Sequence, residues 1–122
     1  MAKRILVVED TEDNRNMMRD LLTSAGYEVI EAIDGAQGVA AAQREHPDLI
    51  LMDIQLPVLD GHEATRRIKA DPTLTDTPII AVTSYAFSAD EEKALLVGCD
   101  DYVAKPFSPR RLLDKIHGYL DR

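Results

Sequence analysis

Leu49-Ile50-Leu51-Met52-Asp53 runs four apolar residues straight into a carboxylate. A strand with one face in water alternates apolar and polar residues, so apolar side chains on consecutive positions predict a strand covered on both faces. Strands covered in this way belong to parallel sheets with helices packed on either side. Asp53 is then the first polar group at the carboxyl end of such a strand.

Working outward, Ile5-Leu6-Val7-Val8 and Ile79-Ile80-Ala81-Val82 read the same way, and Tyr102-Val103-Ala104 is a shorter run of the kind. Tyr27-Glu28-Val29-Ile30 carries Glu28, with Glu31 just beyond it, which suits an edge strand. Segments of helical period separate the runs. Met18, Leu21, Leu22 and Ala25 form one apolar stripe, and Leu112, Leu113, Ile116 and Leu120 form another. Asp34 and Asp60 are placed as helix N-caps, Ser88 with Glu91 as a capping box, and Ser108-Pro109 as a cap followed by proline at the first helical position. Gly26 and Gly98 are expected to close helices at their carboxyl ends. Five such strand–helix units with right-handed crossovers predict an α/β, flavodoxin-like (βα)5 doubly wound parallel sheet of strand order 2-1-3-4-5. Repeats, low-complexity tracts and linkers are absent, and residues 1–122 are expected to form one domain.

Composition narrows the function classes. The net charge of −8 disfavours binding to a polyanion, and Arg66-Arg67 and Arg110-Arg111 are too short to reverse it; they read as solvated helix faces. No stretch approaches the roughly 20 apolar residues that span a bilayer. The strand-like segment at Ile5 leaves no room for a signal peptide, so a cytoplasmic protein without membrane contact is expected. Cys99 is the only cysteine, which excludes an internal disulfide and reads as core filler. His46, His62 and His117 show no metal-binding spacing.

The polar residues at the carboxyl ends of the runs are Glu9-Asp10, Asp53, Thr83-Ser84 and Lys105-Pro106. Taken singly, each has an ordinary reading: a solvated corner, a turn cap, a strand-end hydroxyl bonded to backbone, a surface lysine. Tyr102 alone reads as a sheet aromatic packed on a helix. The predicted strand order brings them to one rim between strands 1 and 3. Clustered carboxylates raise one another's pKa unless a cation joins them, and a hard ion such as Mg²⁺ suits an all-oxygen site. An ionised Asp53 beside that ion is a nucleophile toward phosphorus, with Lys105 as point charge and Thr83 as hydroxyl donor. Two other readings fit less well. A haloacid-dehalogenase-type phosphatase carries its nucleophile in an Asp-x-Asp motif after strand 1, under a cap insertion for which this chain has no segment. A flavin carrier needs a Ser/Thr/Gly-rich phosphate loop where this chain has Glu9-Asp10-Thr11-Glu12-Asp13.

These residues resemble the CheY-like receiver domains of two-component response regulators. The resemblance runs through Val7-Val8-Glu9-Asp10, residues 48–57, Asp60-Gly61, Ala81-Val82-Thr83-Ser84 and Lys105-Pro106-Phe107, and so covers essentially the whole chain. It implies that Asp53 is the phosphoacceptor, charged from a phosphohistidine on a sensor histidine kinase or histidine phosphotransfer protein. It implies Mg²⁺ held by Asp10 and Asp53, by Glu9 mostly through water, and by the backbone carbonyl of Gln55. Lys105 would bind the phosphoryl group, and the Lys105-Pro106 bond would be cis. Thr83 and Tyr102 would be a coupled switch pair, altering the protein-binding surface of the fourth helix, fifth strand and fifth helix. Gln55 and Tyr85 occupy positions expected to set the phosphoryl lifetime, a bulky Tyr85 shading the group from water. Such a domain is not an enzyme beyond assisting its own phosphorylation and dephosphorylation. With no output segment after Arg122, and with Met1 at the start, the single-domain type is expected. A receiver fragment of a hybrid histidine kinase is the alternative. The downstream partner is expected to be a protein and not nucleic acid, with the chain a monomer or a phosphorylation-dependent dimer.

Overall fold

Alternate residues of the central strands divide between two cores. Ile5 and Val7, Leu49 and Leu51, Ile80 and Val82 pack against Met18 and Leu22 on one side and Leu112 and Ile116 beside them. Leu6 and Val8, Ile50 and Met52, Ile79 and Ala81 face the opposite way, onto Ala41, Ala42, Ala64 and Ile68. Burying each of the larger side chains contributes about 1.5–3 kcal/mol, which is why consecutive apolar residues demand a cover on both faces.

The computed structural model describes residues 2–83 and 98–121. Its strands are β1 (Arg4–Val8), β2 (Glu28–Ala32), β3 (Leu49–Asp53), β4 (Ile79–Thr83) and β5 (Asp101–Ala104), all parallel, in the order β2-β1-β3-β4-β5. The order is the one the sequence predicts. The helices among the described residues are α1 (Glu12–Ser24), α2 (Gly35–Glu45), α3 (Gly61–Ala70) and α4 (Pro109–Leu120). Helices α1 and α4 cover one face, α2 and α3 the other. The predicted fourth helical segment, its Ser88 and Glu91 cap, and the positions Ser84 and Tyr85 lie outside the described residues. Among the described residues no helix is long and apolar enough to cross a membrane.

Local chemistry sets the ends of the elements. Asp34 accepts a hydrogen bond from the Gln37 amide at 2.8 Å, and Asp60 accepts one from the Glu63 amide at 2.9 Å. Ser108 caps α4 more loosely, at 3.4 Å from the Arg111 amide. Helix α1 ends with Gly26 at φ 94°, where the Gly26 and Tyr27 amides bond back to the carbonyls of Thr23 and Leu22. Gly98 has φ 100°; the helix it was expected to close is outside the described residues. Helix α2 ends without a glycine. His46 takes the left-handed conformation at φ 48°, a role for which no glycine is present.

Register fixes the rim at the carboxyl ends of the strands. Val8 pairs with Met52, Met52 with Ala81, and Ala81 with Tyr102, so these four residues form one row across the sheet. One residue beyond it stand Glu9 and Asp53, two beyond it Thr83, and three beyond it Lys105. Edge strand β2 ends at Ala32 in the same row, and the acid that follows it, Asp34, is taken up as the N-cap of α2.

Candidate functional site

Glu9 and Asp53 are 1% and 3% exposed, so two carboxylates are buried side by side at the ends of β1 and β3. Lys105 stands between them. Its Nζ lies 3.2 Å from Glu9 Oε2 and 3.1 Å from Asp53 Oδ2. The Gln55 amide donates to Asp53 Oδ1 at 3.0 Å, and the Thr11 amide and Asn14 Nδ2 approach Glu9 Oε1 at 3.3 and 3.4 Å. Asp10 is exposed at the mouth. One carboxylate oxygen from each of Glu9, Asp10 and Asp53 can be chosen so that all three lie within 4.8 Å of one another.

The electrostatics follow from crowding two acids around one lysine. Burial, then the hydrogen bond and charge of Glu9, push Asp53 up to about 6, against the pull of the Gln55 amide and Lys105. Burial also works against ionised Glu9, but its hydrogen bond with Asp53 and the Lys105 charge outweigh it, and Glu9 is held below the ordinary glutamate value. Burial opposes the Lys105 charge, yet the two acids raise it overall. With three acids against one lysine, every side-chain donor in the acid cluster is a hard oxygen and the balance is negative. That donor set fits a hard divalent cation.

The backbone around Asp53 is as constrained as its carboxylate. The loop after β3 folds back so that Gly61 donates to the Ile54 carbonyl at 3.0 Å. A Cβ on Gly61 would stand 2.2 Å from the Asp53 carbonyl oxygen, closer than atoms can approach. In the same loop Val58 has φ 69°, with the Leu59 amide bonded to the Pro57 carbonyl at 2.7 Å. A β-branched residue in that region is strained.

The structure thus brings together Glu9, Asp10, Asp53 and Lys105, with the Gln55 backbone beside them. Thr83 is buried at the end of β4, paired in register with Ala104. Strand alternation puts it on the same face as Ala81 and Tyr102, and Tyr102 packs half-buried against the core of that face. The Lys105-Pro106 peptide bond is cis, as the resemblance implies. Sequence reasoning named Gly61 only as part of the Asp60-Gly61 motif, without its role beside Asp53, and missed Asn14 and Arg15; all three touch this corner. For Gly61 the signal was its place directly after the Asp60 cap. For Arg15 it was only the spacing from the acid pair, five and six residues, which lets a long side chain reach back.

The sequence profile of the response regulator receiver domain matches residues 5–117. The chain belongs to the response regulator receiver family. Over 120 residues this receiver is 44% identical to the polar-differentiation response regulator DivK of Brucella ovis, covering 98% of each chain. The receiver domain of sensor histidine kinase PA1611 from Pseudomonas aeruginosa, crystallised with a magnesium ion coordinated in its active site cleft, superposes with a TM-score of 0.94 at 41% identity over the whole of both chains. Vibrio cholerae chemotaxis protein CheY4 superposes with a TM-score of 0.93 at 31% identity, over 98% of this receiver and 100% of that chain.

Proposed function

We propose that this receiver takes a phosphoryl group onto Asp53 from a phosphohistidine of a sensor kinase or phosphotransfer protein, in a Mg²⁺-dependent reaction, and passes the signal on by protein contact. The observation that carries the reading is the Lys105 ammonium set between buried Glu9 and Asp53, with the Asp10 carboxylate at the mouth. Asp10 and Asp53 would hold Mg²⁺ directly, with Glu9 acting through water and the Gln55 carbonyl as a further ligand. The ion would neutralise the acids and the oxygens of the transferring group.

The chain's own residues do the rest. An Asp53 carboxylate oxygen attacks phosphorus, a P–O bond forms, and the P–N bond breaks with its electron pair going to the imidazole. Asp53 is held for this by the Gln55 amide and by the fixed backbone against Gly61. Lys105 already contacts Asp53 Oδ2 and follows the new charge onto the phosphoryl oxygens. Such transfer depends on positioning and charge stabilisation more than on covalent help from the protein, so this set suffices without a turnover enzyme's machinery. Thr83 offers a hydroxyl from the adjacent strand, and its movement toward the phosphoryl group would free space for Tyr102 on the same face. A charge of about −1.5 to −2 then biases a two-state surface around β5 and α4.

Intact-mass measurement after incubation with a small phosphodonor and Mg²⁺ tests the acceptor. Wild type should gain one phosphoryl mass, while Asp53→Asn and metal-chelated samples should gain none. Modification persisting in Asp53→Asn would overturn the assignment.

A further inference from the structure

Arg15 grips the acidic corner from behind. It lies on α1, where its Nη1 donates to the main-chain carbonyls of Glu9 at 3.0 Å and Asp10 at 3.3 Å. Its Nε stands 3.4 Å from Glu31 Oε1 on edge strand β2, and the side chain is only 16% exposed. Arg19, one turn further along α1, reaches the other Glu31 oxygen at 3.6 Å. On the β2 side, the Glu9 amide bonds to the Ala32 carbonyl at 3.0 Å. The two residues that carry the acids are therefore clamped through their backbone, between an arginine and the end of β2.

The clamp matters because of what Asp10 lacks. Glu9 and Asp53 are buried and fixed by direct hydrogen bonds, but the Asp10 side chain is exposed, so its place follows its own backbone and not any packing. We propose that Arg15 is a positioning residue for the divalent cation: by holding the Glu9 and Asp10 carbonyls it sets where the Asp10 carboxylate stands, and Glu31 braces Arg15 for that task. The inference rests on the reading of Asp10 as a metal ligand.

Positioning and simple electrostatics give opposite signs, which makes the idea testable. A guanidinium near the site repels a cation, so if Arg15 acted only as a charge its removal would tighten Mg²⁺ binding. As a positioning residue its removal must weaken binding, by about tenfold or more, as loss of outer-shell partners typically does. A lysine keeps the charge but lacks the planar fork of donors, so Arg15→Lys should lose about threefold.

The experiment is isothermal titration of the whole chain with Mg²⁺ for wild type, Asp10→Asn, Arg15→Met and Arg15→Lys, paired with melting temperatures with and without the ion. The expected result is weaker binding in both Arg15 variants and a smaller Mg²⁺-induced rise in melting temperature, since that rise follows occupancy. A role confined to fold stability would lower the melting temperature equally in both conditions and leave the dissociation constant alone, and that result overturns the proposal. So does tighter binding in Arg15→Met. If Arg15→Met does not fold, Arg15→Lys decides, and a wild-type dissociation constant there overturns the proposal. Asp10→Asn binding Mg²⁺ as wild type does would remove the metal assignment itself, and the proposal with it.

Discussion

Lys105 Nζ and Asp53 Oδ2 are 3.1 Å apart across two strand ends, and the same ammonium also pairs with Glu9. One cation therefore serves two buried carboxylates. Removing it leaves neither carboxylate with an ion-pair partner among the described residues, and stranding a buried charge costs up to about 3–5 kcal/mol when the burial is deep. In Lys105→Met the loss should be about 1–3 kcal/mol at neutral pH, because Lys105 itself is partly exposed, and smaller near pH 5, where the pair carries a proton. Phosphoryl uptake from a small donor should fall at least about tenfold. Urea unfolding at both pH values and timed intact-mass measurement check this; uptake at the wild-type rate would contradict it.

Asp53 titrates near 6 instead of 3.8 because burial and then Glu9 disfavour its charge. The folded state holds this proton more tightly than the unfolded chain does. The stability it contributes is complete below about pH 4 and lost as pH rises through about 6. By neutral pH the loss is about 1–2 kcal/mol, because Asp53 shares the proton with Glu9, whose lowered value returns part of it. Asp53→Asn carries no such charge. In metal-free buffer it should be about 1–2 kcal/mol more stable than wild type near pH 7.5 and no more stable near pH 4. Equal unfolding free energies near pH 7.5 would count against this account of the buried pair.

The same proton competes with a cation. Mg²⁺ needs the ionised carboxylate, so its apparent affinity should fall once pH drops below about 6, by up to about tenfold per unit. Calorimetric titrations between about pH 5 and pH 8 would trace the curve. A flat profile would mean that the ion is bound without Asp53.

Two glycines separate space from backbone conformation. A Cβ at Gly61 would collide with the Asp53 carbonyl at 2.2 Å, whereas one at Gly26 meets nothing within 4 Å and suffers only from φ 94°. Gly26→Ala should cost about 1–2 kcal/mol and leave phosphoryl uptake unchanged. Gly61→Ala should cost at least about 2 kcal/mol and sharply reduce uptake, because the displaced backbone is that of Asp53, the proposed acceptor. Uptake by Gly61→Ala at the wild-type rate would show that the loop can yield without moving Asp53.

Val58 is 84% exposed at φ 69°, so its strain is not repaid by packing. A turn closed by the Pro57 carbonyl and the Leu59 amide around a positive φ is strained for any side chain, and glycine adopts it freely. Val58→Gly should stabilise the protein by about 1 kcal/mol, or about 4 °C in melting temperature. A melting temperature at or below that of wild type would mean that the valine makes a compensating contact.

The strand order and the convergence at the rim were legible because they depend on patterns the chain repeats. Leu49 to Met52 announce two covered faces, and a polar residue closing each central run announces its carboxyl end. The caps Asp34, Asp60 and Ser108 were legible because a short acceptor must precede the first turn. What escaped were relations that only three dimensions create. Nothing in the sequence places Gly61 against the Asp53 carbonyl, or sends Arg15 back to the acids while Glu31 holds its other side. His46 was read only as a poor metal ligand, yet it terminates α2 in a conformation usually left to glycine. His117 was read likewise, yet its Nδ1 lies 2.7 Å from the Tyr27 hydroxyl, 90 residues away in the chain. Such contacts follow from packing two helices onto one sheet and carry no local signature.

The two-sided strand β3 has a consequence for motion. Sliding it by one residue would exchange the occupants of both cores at once and turn Asp53 away from Lys105. No partial adjustment is open to it, and its amide protons should exchange with solvent only when the entire domain opens. Asp53 is thus mounted on one of the least compliant strands among the described residues, and in the proposed function a conformational response to an added charge would be left to the loops beyond the strand ends and to the outer strand β5.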